Sequence, residues 1–110
     1  MYTVDFGFNE YQESAWEFRA WPDNDVGNLY PVLGLAEEAG EVAGKVAKAI
    51  RKGVEVDREA LKKELGDVLW QLAAVATTYD FDLEEIALAN LDKLNDRNAR
   101  GVIVGSGDDR

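Results

Sequence analysis

The chain has 110 residues, a formal charge of −10, no cysteine and no histidine. That composition excludes a disulfide framework, a zinc–thiolate site and a cysteine nucleophile, and it removes the commonest general base and transition-metal ligand. A metal here must be held by oxygen, which points to magnesium, manganese or calcium. The acidic balance argues against coating nucleic acid or an anionic membrane surface. No apolar run approaches the roughly 20 residues of a membrane span. Met1-Tyr2-Thr3-Val4-Asp5 shows no basic region followed by an apolar block, so a cytoplasmic address is expected.

Residues 1–8 read as an irregular lead-in anchored by Phe6 and Phe8. Asn9 with Gln12 three positions on resembles a capping box, which starts a first helix over about 9–21, stopped by Pro22. Tyr11, Ala15 and Phe18 form its apolar stripe. Trp16 and Trp21 fall off it, so they fill a second interface or subunit contact, or one stacks on a nucleobase; Trp21 is the candidate substrate contact.

After a turn-rich loop at 22–28, a second helix is expected over about 29–52, with Pro31 tolerated in its first turn. At about 100° per residue, Val32, Leu35, Ala39, Val42, Val46, Ala49 and Ile50 share its core arc. Beside that arc lie Glu37, Glu38 and Glu41, then Lys45, Lys48 and Lys52. This edge is either helix-stabilising charge pairing or a metal site followed by lysines that meet phosphate.

Gly53 stops that helix and Asp57 starts the next, expected over about 58–79 with a core arc from Leu61 and Leu65 through Val68, Leu69, Leu72, Val75 and Ala76 to Tyr79. Residues 38–42 read Glu-Ala-Gly-Glu-Val, and 64–68 repeat the pattern as Glu-Leu-Gly-Asp-Val. Glu64 and Asp67 therefore border the core arc with the offset that Glu38 and Glu41 have one helix earlier. Acids that merely solvate a helix centre opposite its core, so two bordering pairs predict convergence of the carboxylates when the helices pack. Such a group is tolerable where a cation compensates it.

Asp82 with Glu85 predicts a capped fourth helix over about 83–99. Leu83, Ala87, Leu88, Leu91 and Leu94 face its core, and Asn90, Lys93 and Arg97 line an edge. The glycine-rich tail, 101–110, either frays or covers a neighbouring subunit. Four helices with short connections imply one all-α, four-helix bundle-like domain, with any site built from facing helices. A di-iron site would pair glutamates with Glu-x-x-His, and a Walker loop would need Gly-x-x-x-x-Gly-Lys-Ser/Thr; the sequence has neither.

Glu-Glu-x-x-Glu at 37–41, Glu-x-x-Asp at 64–67 and Asn90-x-x-Lys93-x-x-x-Arg97 together resemble the signature of the all-α nucleoside triphosphate pyrophosphohydrolases, closest to the short MazG-like proteins. The resemblance spans about 28–97. It implies hydrolysis of a (d)NTP between the α- and β-phosphates to (d)NMP and pyrophosphate. It also implies Mg2+ (Mn2+ as a substitute) on Glu38, Glu41, Glu64 and Asp67, Glu37 assisting the water, and Asn90, Lys93 and Arg97 on the phosphates. A homodimer or homotetramer with the site near the subunit contact is implied as well, as is a role in limiting unusual or excess nucleotides. Roles for Lys45, Lys48 and Trp21 rest on helix edges alone. A dUTPase or phosphoribosyl-ATP pyrophosphohydrolase activity is a related possibility, the latter less expected without histidine. The same residues would also suit a non-catalytic metal–nucleotide-binding module, or a structural bundle whose acids are surface charge.

Overall fold

The structure, a computed structural model, describes residues 5–110. Among these there are four helices and no strand: α1 (Phe8–Trp16), α2 (Asp25–Lys52), α3 (Arg58–Thr78) and α4 (Leu83–Ala99). The expected all-α architecture is therefore present. Of the expected lead-in, residues 1–4 lie outside the described residues, Phe6 sits edge-on to Tyr11 with centroids 6.5 Å apart, and Phe8 is already helical.

The junction between α2 and α3 follows the local punctuation closely. Gly53 ends α2 in the left-handed conformation (φ 66°), where a residue without Cβ is least strained. Its N–H and that of Val54 close on Ile50 and Ala49 carbonyls. Asp57 then caps α3, its carboxylate accepting from the Ala60 N–H at 3.1 Å.

The first two helices differ from expectation at three of their four ends. Gly7, not Asn9, is the N-cap of α1, with its N–H donated to Glu10 Oε1 at 2.8 Å. α1 stops at Trp16 rather than Trp21, and the chain tightens through i→i−3 bonds over Glu17, Phe18 and Arg19. Five further residues of α-helix would place Trp21 about 7.5 Å up the axis and about 140° round from Trp16. The tighter turn instead brings the two rings edge to face with centroids 6.2 Å apart. α2 starts early because Asn24 is an effective cap, accepting from the Gly27 N–H at 2.8 Å. Pro31 consequently sits in the second turn, not the first, and is fully buried. Gly27 is required there: a Cβ would lie 1.5 Å from the Pro22 carbonyl oxygen.

Asn9 and Gln12 do not cap their own helix; they cap α4. Gln12, buried, accepts from the Leu83 N–H at 2.7 Å and donates to the Phe81 carbonyl and Thr77 Oγ1 at 2.8 and 3.0 Å. Asn9 accepts from the Glu84 N–H and donates to the Glu84 carboxylate, each at 3.2 Å. Asp82 occupies the N-cap position of α4 but makes no side-chain cap bond, so the expected Asp82–Glu85 box is replaced by donors and acceptors from α1.

α2 and α3 share the largest contact in the fold, α1 lies across α3, and α4 packs chiefly on α1. The buried apolar residues are mostly small: Ala15, Ala49, Ala73, Ala74, Ala76 and Leu83. Much of the expected core arc is exposed instead, including Phe18, Val32, Val46, Ile50, Leu65, Tyr79, Leu88, Leu91 and Leu94. The reason is geometric. With α4 set against α1, the long α2–α3 pair has one partner layer where its apolar faces suit two.

Candidate metal and nucleotide site

The α2–α3 pair sets the site. Gly34 and Gln71 mark the closeness of the two helices, since a Cβ at Gly34 would lie 2.8 Å from Gln71 Cδ. One turn along from Gly34 is Glu38, and one turn back from Gln71 is Asp67, with Glu64 three residues before it. Glu38, Glu64 and Asp67 each present a carboxylate oxygen, and the three atoms lie within 4.8 Å of one another. Glu38 and Glu64 are half-buried and Asp67 is exposed. Burial first, then the negative charges of Asp67, Glu64, Glu37 and Glu41, raises the Glu38 carboxyl above its ordinary pKa. Three hard oxygens, mutually repelling and partly desolvated, form a donor set suited to magnesium or manganese.

Glu37 and Glu41 lie at the fringe of this group, close enough for Glu38 to respond to their charges. Glu41 also lines a cavity of about 400 Å³ running toward the α2–α3 connection, whose walls include Lys45, Lys48, Arg51 and Lys52. Glu41 and the basic turns of α2 thus share one open groove.

Asp67 belongs to a second cavity as well. About 440 Å³ in volume, it lies between α1 and α3, lined by Tyr11, Ser14, Ala15 and Phe18 on one side and Gly66, Asp67 and Trp70 on the other. Burial, then the Asp67 charge, raises the Tyr11 hydroxyl above its ordinary pKa. Trp70 is held by donating its indole N–H to the Ala15 carbonyl at 3.2 Å. Trp21 is not on this cavity's wall. It is half-buried behind it, stacked on Tyr30 (centroids 5.0 Å, planes 19° apart) and tilted on Trp70 at 5.9 Å. Arg19 lies 4.4 Å over the Trp16 ring.

The α4 cations sit elsewhere in the chain. Lys93 and Arg97 both pair with Asp108, at 3.1 and 3.0 Å, rather than with a carboxylate of the cluster. Lys93 first, then Arg97, holds the Asp108 carboxyl below its ordinary pKa. Asn90 is exposed on the same helix.

Two features take no functional role from the sequence, although Gln71 continues the edge of α3 that carries Glu64 and Asp67. Gln71 is buried with its Oε1 unpartnered, one turn from Asp67; its i, i+4 spacing from Asp67 was the available signal. Trp70, by contrast, falls nearly opposite the core arc of α3 at about 100° per residue, on the side where solvent is expected.

Residues 28–102 match the MazG nucleotide pyrophosphohydrolase domain. The chain belongs to this family. It is also similar to the Gene 37 protein of Mycobacterium phage L5, 42% identical over 109 residues that cover 91% of this chain and 96% of that protein. No solved structure matches. The matched region contains Glu37, Glu38, Glu41, Glu64 and Asp67 together with Asn90, Lys93 and Arg97, and it stops short of Asp108.

Proposed function

We propose that this MazG-family protein is a magnesium-dependent nucleoside triphosphate pyrophosphohydrolase, converting (d)NTP and water to (d)NMP and pyrophosphate. The convergence of Glu38, Glu64 and Asp67 from facing helices is the observation that carries this reading. Glu38, Glu64 and Asp67 would hold the metal, with Glu41 completing the set. Bound there, a divalent cation supplies phosphate polarisation, charge neutralisation and a more acidic water. Manganese would serve the same ligands.

The protein's own groups divide the remaining work. Glu37 orients the attacking water and accepts its proton as the water adds across the α–β phosphoanhydride bond; pyrophosphate is the leaving group. Lys45 and Lys48, in the groove that begins at Glu41, meet the charge of the departing phosphates. The aromatic-walled cavity beside Asp67 takes the base, offering ring faces and the Tyr11 and Ser14 hydroxyls. Trp21 contributes by fixing Trp70 in place rather than by touching the base.

Asn90, Lys93 and Arg97 reach the phosphates when chains associate, as a homodimer or homotetramer. What supports association is the apolar surface one chain leaves uncovered: Leu33 is 68% exposed and Ile50 73% exposed, with Leu88 and Leu91 open on α4. Each such side chain stabilises by about 1.5–3 kcal/mol when covered. No helix among the described residues is long and apolar enough to cross a membrane. A cytoplasmic enzyme of one domain that limits unusual or excess nucleotides fits these features.

The test is a panel of NTPs and dNTPs with magnesium and identification of products. Pyrophosphate and the monophosphate are expected in equal amounts. Orthophosphate release, or tight nucleotide binding with no turnover across the panel, would overturn the assignment; the latter result would make this a binding module. Glu64→Gln should lower kcat/KM by about 10²–10³-fold, as loss of a group that stabilises developing charge does.

A further inference from the structure

The chain beyond α4 turns back onto the helix it has just left. Gly101 (φ 72°) makes the turn, and the Val102 N–H bonds the Arg97 carbonyl at 2.9 Å. The Arg110 guanidinium donates to the carbonyls of Val102, Ile103 and Gly107, closing the segment into a loop. Asp108 stands on this loop. Its Oδ1 accepts from Lys93 Nζ at 3.1 Å and from Arg97 Nη2 at 3.0 Å, and its backbone oxygen accepts from the same Nη2 at 2.8 Å.

The two partners are unequally held. Arg97 is only 5% exposed, and its buried Nε has no hydrogen-bond partner, so the tail leaves one donor of the guanidinium unused. The Asp108 side chain is 81% exposed, so little besides the two cations retains it. A buried guanidinium with a spare donor and an adjacent ammonium is a site for an anion with more acceptor oxygens and more charge than one carboxylate, as a phosphate group has. Asp108 also lies outside the region shared with the family, which ends at residue 102.

We propose that Asp108 is an internal competitor for the Lys93–Arg97 anion site: the tail carboxylate occupies the site in the free protein, and a polyphosphate displaces it and releases the tail. This rests on the assignment of Lys93 and Arg97 to phosphate binding. The apparent affinity for a polyphosphate is reduced by the fraction of molecules in which the site is open. The tail therefore raises the polyphosphate concentration needed to fill the site by a constant factor.

Calorimetric titration with inorganic tripolyphosphate in magnesium buffer tests this without requiring turnover. Asp108→Ala should bind about fivefold more tightly than the unsubstituted protein, as expected if the site is open in about a fifth of molecules. Asp108→Asn, which keeps the shape and loses the charge, should fall between the two and serves if Asp108→Ala does not fold. In nucleotide hydrolysis KM should drop by the same factor with kcat unchanged. Equal or weaker tripolyphosphate affinity in a folded variant would overturn the proposal. Tighter binding in a protein that hydrolyses no nucleotide would keep it and remove the hydrolase reading, whereas full hydrolysis with equal affinities would do the reverse.

Discussion

The acids and the cations of this molecule are positioned by different means. Glu38, Glu64 and Asp67 project from two long helices in intimate contact, where Gly34 has no room for a Cβ beside Gln71. Lys93 and Arg97 ride on a shorter helix whose N-terminus is seated by Asn9 and Gln12 of α1, and their charges are met by a loop. The first arrangement fixes mutually repelling groups side by side. The second already has its counter-charge, but a replaceable one. This asymmetry suits the proposed order, a metal bound first and a polyanion after it, with rigid ligands for the ion and cations that can change partners.

The sharpest way to separate the two regions is to unseat α4 while leaving the α2–α3 pair alone. Gln12→Ala removes three hydrogen bonds and strands the buried Leu83 N–H. The expected cost is about 2–3 kcal/mol, since an unsatisfied buried donor loses its full desolvation energy. Denaturant unfolding should record this loss while the affinity of the carboxylate cluster for Mn2+ stays unchanged. A fall in metal affinity as large as the fall in stability would mean that the two regions form one cooperative site.

A smaller effect comes from pH in metal-free solution. The Glu38 pKa is raised in the folded state, so folded protein holds this proton more tightly than unfolded protein does. Stability should therefore decline as pH rises from the ordinary carboxylate value through the raised one, and stay lower above it. Saturating Mg2+ should offset the decline by binding only the folded state. Melting temperatures across pH 4 to about 7, with and without Mg2+, measure both; a metal-free profile identical in Glu38→Gln would show that Glu38 is not the group responsible.

How far the sequence reached depends on how local each determinant is. Gly53 stops α2 through its left-handed backbone and Asp57 caps α3 with its own carboxylate, and α3 and α4 lie within a residue of expectation. The end of α1 and the start of α2 depend on Trp16, Trp21, Tyr30 and Trp70 finding one another and on the Asn24 cap, contacts that no window on α1 contains. Gln12 shows the same limit: Asn9 and Gln12 are spaced as a capping pair, but the N-terminus they cap is about seventy residues away. The carboxylates were legible because the offset from each apolar arc is a property of each helix alone. Which three meet most closely depends on the register between α2 and α3, and Glu41 ends facing the basic groove. The tail's engagement of Lys93 and Arg97 is likewise a contact with no pattern of its own in the sequence.

Everything proposed for the chemistry depends on Glu38, Glu64 and Asp67 holding a divalent cation. Titration of the protein with Mn2+, followed by electron paramagnetic resonance of the free ion, tests this directly. Saturable binding is expected, competed away by Mg2+ and weakened at least about tenfold in Glu64→Gln, with the circular dichroism of the variant unchanged. Undiminished Mn2+ affinity in folded Glu64→Gln would contradict it.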